Sequence, residues 1–286
     1  MKRNIIFGAL ASLLFLFAAC DKIEPNEEGR YDLFSGAAGS WFDGTSVADH
    51  SQRAFLDKYT GVRCVNCPTA DEAINQALAT YGDQLVVVAI HDSSNFCKPY
   101  TGNTDMRTAD GDAWSNFFGI KASGTYPNAM VNRSKSGSSY DLFVPTSGIE
   151  GRVDAVLAQP TRIAVEVESH LSGREASITV SLEYLQEVSS PVLLTLFIME
   201  DGLTATQMLP DGTHQDDYTH NHILRDVITD PMGTTVDADG HAGTKRTALF
   251  NYTLASEDWD ASKCHIVALI SDAATHAVIN CHECEL

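Results

Sequence analysis

Tyr59-Thr60-Gly61-Val62-Arg63-Cys64-Val65-Asn66-Cys67-Pro68 sets two cysteines three apart at the junction of two unlike stretches. Before it, Arg53 to Tyr59 reads as a strand. After it, Pro68 to Tyr81 reads as a helix, with proline in the opening turn, where a missing N–H costs nothing. Beyond the helix, Leu85-Val86-Val87-Val88-Ala89-Ile90 is an apolar run with the length of a buried strand. A cysteine pair at the strand-to-helix step of a β-α-β pattern is a dithiol redox signature.

That chemistry needs one cysteine with a depressed pKa to attack and a second to resolve the mixed disulfide. Cys64 fits the first role, because it lies where the dipole of the coming helix favours thiolate, and Arg63 beside it is expected to push the same way. Cys67, in the first turn, is placed to resolve. The alternative is a disulfide that only staples the turn, and the spacing leaves both open. A four-thiolate zinc site from Cys64, Cys67, Cys281 and Cys284 is disfavoured by the 213 residues between the pairs. Neither pair has a histidine directly after its second cysteine, which excludes c-type haem attachment. No cofactor is implied.

Further on stands Gly124-Thr125-Tyr126-Pro127-Asn128, before a short strand expected over Ala129 to Asn132. Thioredoxin-fold proteins carry a cis-proline before a strand, facing the cysteine pair, and Pro127 resembles it in placement. Val65-Asn66 departs from the Gly-Pro of thioredoxin, and Arg63 replaces its tryptophan. Asp57 is the candidate for thioredoxin's buried carboxylate, one residue off the expected register.

The chain has 286 residues, 44% of them apolar, enough for about two folded domains. Lys2 and Arg3 precede an uncharged apolar run from Ile5 to Ala19, fifteen residues against the roughly 20 needed to span a bilayer, so it reads as a cleaved signal. Phe17-Ala18-Ala19-Cys20 resembles a bacterial lipobox, with Cys20 as the acylated new N-terminus; the alternative is ordinary cleavage after Ala19. The net charge is −19, and loss of Lys2 and Arg3 makes it −21. Such a surface repels phosphate backbones and anionic headgroups, so nucleic acid is excluded as a partner and membrane contact falls to the lipid on Cys20.

The expected organisation is a signal peptide over 1–19 and an acidic, irregular tether over 20–50, docked in part by Trp41 and Phe42. A thioredoxin-like α/β domain follows over 51–160, and an all-β immunoglobulin-like sandwich over 161–286. Within the first domain, Asp105 to Phe118 has helical spacing interrupted by Gly111, and Glu150 to Leu157 reads as a closing helix stopped by Pro160. From Arg162 onward, alternating segments such as Ile163 to Glu168 and Ala176 to Tyr184 sit between turn signals, with no helices.

Six cysteines besides Cys20 allow fifteen full pairings. Cys281-His282-Glu283-Cys284 reads as a terminal clasp past the last strand, or as a link to Cys264. Cys97 is a loop thiol or a third redox partner. His220-Asn221-His222 is a possible metal pair with His214, though surface polarity explains such a motif more simply.

Several pieces recur together in one family: the signal with Cys20, Phe55 to Pro68, Ile90-His91, Pro127 to Arg133, and Tyr218-Thr219-His220-Asn221-His222-Ile223-Leu224-Arg225. In these the chain resembles the twenty-eight-kilodalton-type outer-membrane lipoproteins of Bacteroidota, whose N-terminal part is thioredoxin-like. The resemblance implies a lipid-anchored outer-membrane protein, on the periplasmic face or the cell surface. Catalytic candidates are Cys64, Cys67 and Pro127, acting on thiols of envelope proteins. In the other reading the chain is a surface binding or adhesion module with a structural Cys64–Cys67 disulfide. Cys281-His282-Glu283-Cys284 is not expected of the family.

Overall fold

The computed structural model describes residues 41–237 and 240–286. The expected signal peptide, the lipidation at Cys20 and most of the tether lie outside them. Strands make up 42% of the described residues and helices 19%, a mostly β protein.

In chain order come β1 (Phe42–Asp43), β2 (Ala54–Tyr59), α1 (Cys67–Tyr81) and β3 (Leu85–Ile90). Then follow α2 (Ala109–Phe117), α3 (Ile120–Ser123), β4 (Asn128–Val131), β5 (Lys135–Ser136), β6 (Ser139–Tyr140) and α4 (Ile149–Leu157). The β-rich half holds β7 (Ile163–Ser172), β8 (Glu175–Tyr184), β9 (Val192–Glu200), β10 (Leu203–Met208) and β11 (His214–His220). It ends with β12 (Ile223–Val227), β13 (Thr234–Asp237), β14 (Lys245–Thr253), β15 (Cys264–Asp272) and β16 (Val278–Glu285).

Local sequence explains much of this. α1 starts with proline in its first turn, buries Ala70, Ile74 and Ala77 along one stripe, and stops at Gly82, whose φ of +52° suits a residue without a Cβ. α2 begins at Ala109 rather than Asp105, because the Thr108 side chain accepts a 2.9 Å hydrogen bond from Gly111 N and caps it. Gly111 does not interrupt this helix. It lets α2 approach β3, since a Cβ there would stand 3.0 Å from His91 O and 3.1 Å from an Ile90 methyl. The tether also ends in order: β1 pairs with β14, and Trp41 packs on the sandwich core while Phe42 stays exposed.

An eight-stranded sheet runs β16-β15-β9-β12-β3-β2-β4, with β13 also on β9. β2 and β3 are parallel across the α1 crossover, and β4 is antiparallel to β2. The second sheet, β1-β14-β8-β7, is antiparallel throughout. Strands dominate after Pro160, and the two segments share one sheet. β12, from the second segment, lies parallel to β3 through Ile223 and Ala89, and Ala89 N donates to His222 O at 2.7 Å.

Alternate residues of the same strands feed different cores. Leu194, Leu196 and Ile198 of β9, with Ile266 and Ala268 of β15, pack against Val165, Ile178, Leu182 and Phe250 of the smaller sheet, which makes a β-sandwich. Phe197, Met199, Val267 and Leu269 point the other way, to Phe55, Val88, Trp114 and Phe118. The Phe197 ring lies 6.0 Å from Phe55 and 5.6 Å from Trp114, both edge-on. α1 and α4 close a third core over Leu56, Val87 and Val131.

Candidate functional site

β2 delivers the chain to the Cys loop, and a series of short backbone bonds holds it there. Thr60 N donates to Ile90 O (3.1 Å), Cys64 N to Gly61 O (3.0 Å) and Cys67 N to Cys64 O (3.2 Å). Cys64 and Cys67 form a disulfide at the start of α1. Gly61 has to be glycine, because a Cβ would meet Phe96 O at 2.5 Å where the 95–97 turn crosses the loop. Arg63 does not face the sulfurs. Its guanidinium donates to Lys98 O (2.7 Å) and Pro99 O (2.9 Å) and lies 4.0 Å from the centre of the Tyr100 ring.

The loop is covered by the β10–β11 hairpin of the β-rich half. Met208 N donates to Val62 O at 2.9 Å. The Gln207 side-chain amide, itself 2% exposed, donates to Cys64 O (3.1 Å), Met208 O (3.0 Å) and, more weakly, Gly61 O (3.4 Å). Cys64 is 2% exposed and Cys67 fully buried. An exchanging cysteine has to be reachable by a thiolate partner. These two are not.

Pro127 follows a cis peptide bond and leads into β4. The Tyr126 hydroxyl before it donates to buried Asp92, which also accepts from the Ser115 hydroxyl and from Ser94 N (2.9 Å). Burial would raise the Asp92 carboxyl, but these hydrogen bonds outweigh it and hold its pKa below the ordinary value. Cys97 belongs to the same core as the disulfide and donates to Thr60 O at 3.0 Å. Burial pushes its pKa up to about 12, so it stands there as a thiol, the wrong form for a third redox partner.

Asp57 lies on the face of β2 whose neighbours Phe55 and Tyr59 share a core with the disulfide. It makes a buried ion pair with Arg133, two N–O contacts of 3.0 Å, and the guanidinium lies 4.6 Å from the ring centres of both Trp114 and Phe118. Burial raises the Asp57 pKa and Arg133 opposes that. One residue on, the strand turns Lys58 to the other face, where Nζ meets Asp71 of α1 at 2.6 Å and Asp71 accepts from the Tyr218 hydroxyl at 2.9 Å. His91 and His220 are buried close by. Sequence reading missed Lys58, Asp71 and Gln207, and quoted His91 only within a family resemblance.

The remaining candidates do not come together. His220 is buried, His214 bonds the exposed Tyr100 hydroxyl (3.1 Å), and His222 lies 3.4 Å from Asp201. No metal pair with His214 exists. Cys281 and Cys284 lie within β16, not past it, and feed opposite cores. Both are free thiols, as is Cys264, which sits opposite Leu286. The expected clasp is therefore not formed, nor is a four-thiolate site.

The family model of the outer membrane protein Omp28 matches residues 112–286, a stretch that includes Pro127 but not the cysteine loop. Among solved structures, HBP35 of Porphyromonas gingivalis superposes with a TM-score of 0.61 at 16% identity, over 84% of this chain and 77% of that one, which is a likeness of fold. A protein of Agrobacterium tumefaciens aligns at 0.48 and 17% identity, over 82% of this chain and 95% of that one. A domain of the outer membrane lipoprotein Omp28 from Porphyromonas gingivalis aligns at 0.31 and 14% identity, over 44% and 88%, too low to carry an argument. No curated protein matches the sequence.

Proposed function

The chain belongs to the Omp28 family of outer membrane proteins and works at the outer membrane, and from that premise we propose that it is a lipid-anchored binding protein whose disulfide is a permanent cross-link. The parallel β2–α1–β3 unit, the antiparallel β4 entered through Pro127, and α4 together support a thioredoxin-like unit built into the larger sheet. The observation that carries the non-catalytic reading is the burial of both cysteines under Gln207. Cys20 is the proposed lipid attachment site, which makes the membrane the first partner.

A cleft of about 670 Å³ between α4 and the 272–279 turn offers the concave surface for a ligand. Val131, Val156 and Val278 give it apolar walls, with Arg152 and Arg162 beside them.

Thiol–disulfide exchange on envelope proteins is the second reading, with Cys64 attacking, Cys67 resolving and Pro127 shaping the groove. The position of the disulfide at the start of α1 favours it. It requires the β10–β11 hairpin to lift from Val62 and Cys64. A Cys67→Ser variant, acid-quenched in intact cells and resolved on a non-reducing gel, separates the two. The cross-link reading expects no mixed disulfides, whereas covalent adducts on Cys64 would establish exchange.

A further inference from the structure

His91 and His220 form a pair that the cross-link reading does not use. His91 directly follows β3 and is 1% exposed; His220 ends β11 and is 6% exposed. Their ring centres are 6.3 Å apart. Neither nitrogen of His91 has a partner within the protein, nor does Nε2 of His220. Leaving such nitrogens dry costs about 1–3 kcal/mol each. Something must satisfy them.

We propose that His91 and His220 bind a single monovalent copper ion through their unpartnered ring nitrogens. Two imidazoles joined in line through one ion by bonds of about 2 Å have ring centres roughly 6 Å apart, which is the observed spacing. Zinc would demand four ligands. Among the described residues no group of three or more His, Cys, Asp or Glu side chains could hold a metal ion. A two-nitrogen site instead suits copper(I), which also accepts thioether sulfur. Met106 is the methionine to test: it is 2% exposed and packs with Ala89 and Ile223, two residues before His91 and three after His220. Charge also permits it. Lys58 is close to the pair, but Asp71 at 2.6 Å balances its ammonium. Burial keeps both imidazoles in the neutral form that ligates metal, with the pKa of His220 lowered to about 4 and that of His91 well below its usual value.

The test is an anaerobic titration of the full chain with copper(I) against a chromophoric chelator, followed by X-ray absorption of the loaded protein. One ion should be held with two imidazole nitrogens in its shell, and His91→Ala or His220→Ala should weaken retention by at least tenfold, roughly the least that loss of a ligand costs. Met106→Leu should remove any sulfur scatterer at thioether distance. The absorption measurement on the unaltered chain stands even if a histidine variant fails to fold. A shell of thiolates alone, which would place the ion on Cys97, Cys264 or Cys281, overturns the proposal. So does equal retention by the His91→Ala/His220→Ala double variant, which would leave the nitrogens to buried water.

Discussion

Gln207→Ala removes the amide that ties the β10–β11 hairpin to the cysteine loop without touching either sulfur. Three carbonyls, Gly61 O, Cys64 O and Met208 O, lose a donor in a buried setting. The Met208 O bond lies within the hairpin and survives its opening, so the closed arrangement loses mainly the Cys64 O bond, about 0.5–1.5 kcal/mol relative to a locally opened one. If reductant reaches the disulfide only through that opening, the reduction rate scales with the open population. A change of about 0.5–1.5 kcal/mol is then about a 2- to 13-fold acceleration. The assay is a time course in dilute dithiothreitol, quenched with an alkylating agent and read by mass on the peptide bearing Cys64 and Cys67. Equal rates in variant and wild type, with the same global stability, would show that the hairpin is no barrier and would undo the argument from burial.

Arg133→Met should cost about 3–5 kcal/mol by leaving the Asp57 carboxylate buried without its partner, and a second change, Asp57→Leu, should recover most of it; urea denaturation of the three variants decides. The His220 pKa is lowered from 6.5 to about 4, so the unfolded chain takes up a proton that the folded one refuses. Stability is therefore complete above about pH 6.5 and falls as the pH drops, by about 2 kcal/mol at pH 5 from this residue alone, with His91 adding in the same direction; a His220→Gln variant should show the flatter profile. The double variant Cys64→Ser/Cys67→Ser should stay folded and lose about 2 kcal/mol, the entropic value of so short a loop. Cys20→Ala should abolish acyl labelling and release the protein from the membrane fraction.

How much of this was legible depended on periodicity. β3 is an unbroken apolar run because both its faces are buried, and β8 alternates because one face is wet. β10 and β11 gave no such signal. β11 reads His-Gln-Asp-Asp-Tyr-Thr-His and is mostly exposed, so its pairing with β10 rests on backbone bonds that composition does not report. The hairpin that covers the disulfide was invisible for that reason. Asp57 shares a face of β2 with Phe55 and Tyr59, and its partner Arg133 lies 76 residues away, so nothing in the sequence marks this carboxylate as used up in an ion pair. The shared sheet was hidden too, because Ile223 and Ala89 are far apart in sequence and meet as a single parallel pair. β16 seemed to end at Asn280 because Cys281-His282-Glu283-Cys284 looks polar, yet it pairs with β15 as far as Glu285.

The account stands on whether the Cys64–Cys67 bond is closed for good. Equilibrating the protein in a graded series of dithiothreitol redox buffers, with the other thiols blocked, measures the reduction potential of this pair. A sheltered cross-link predicts a value below about −300 mV, whereas a value between about −270 and −120 mV, the span of known exchangers, would contradict it.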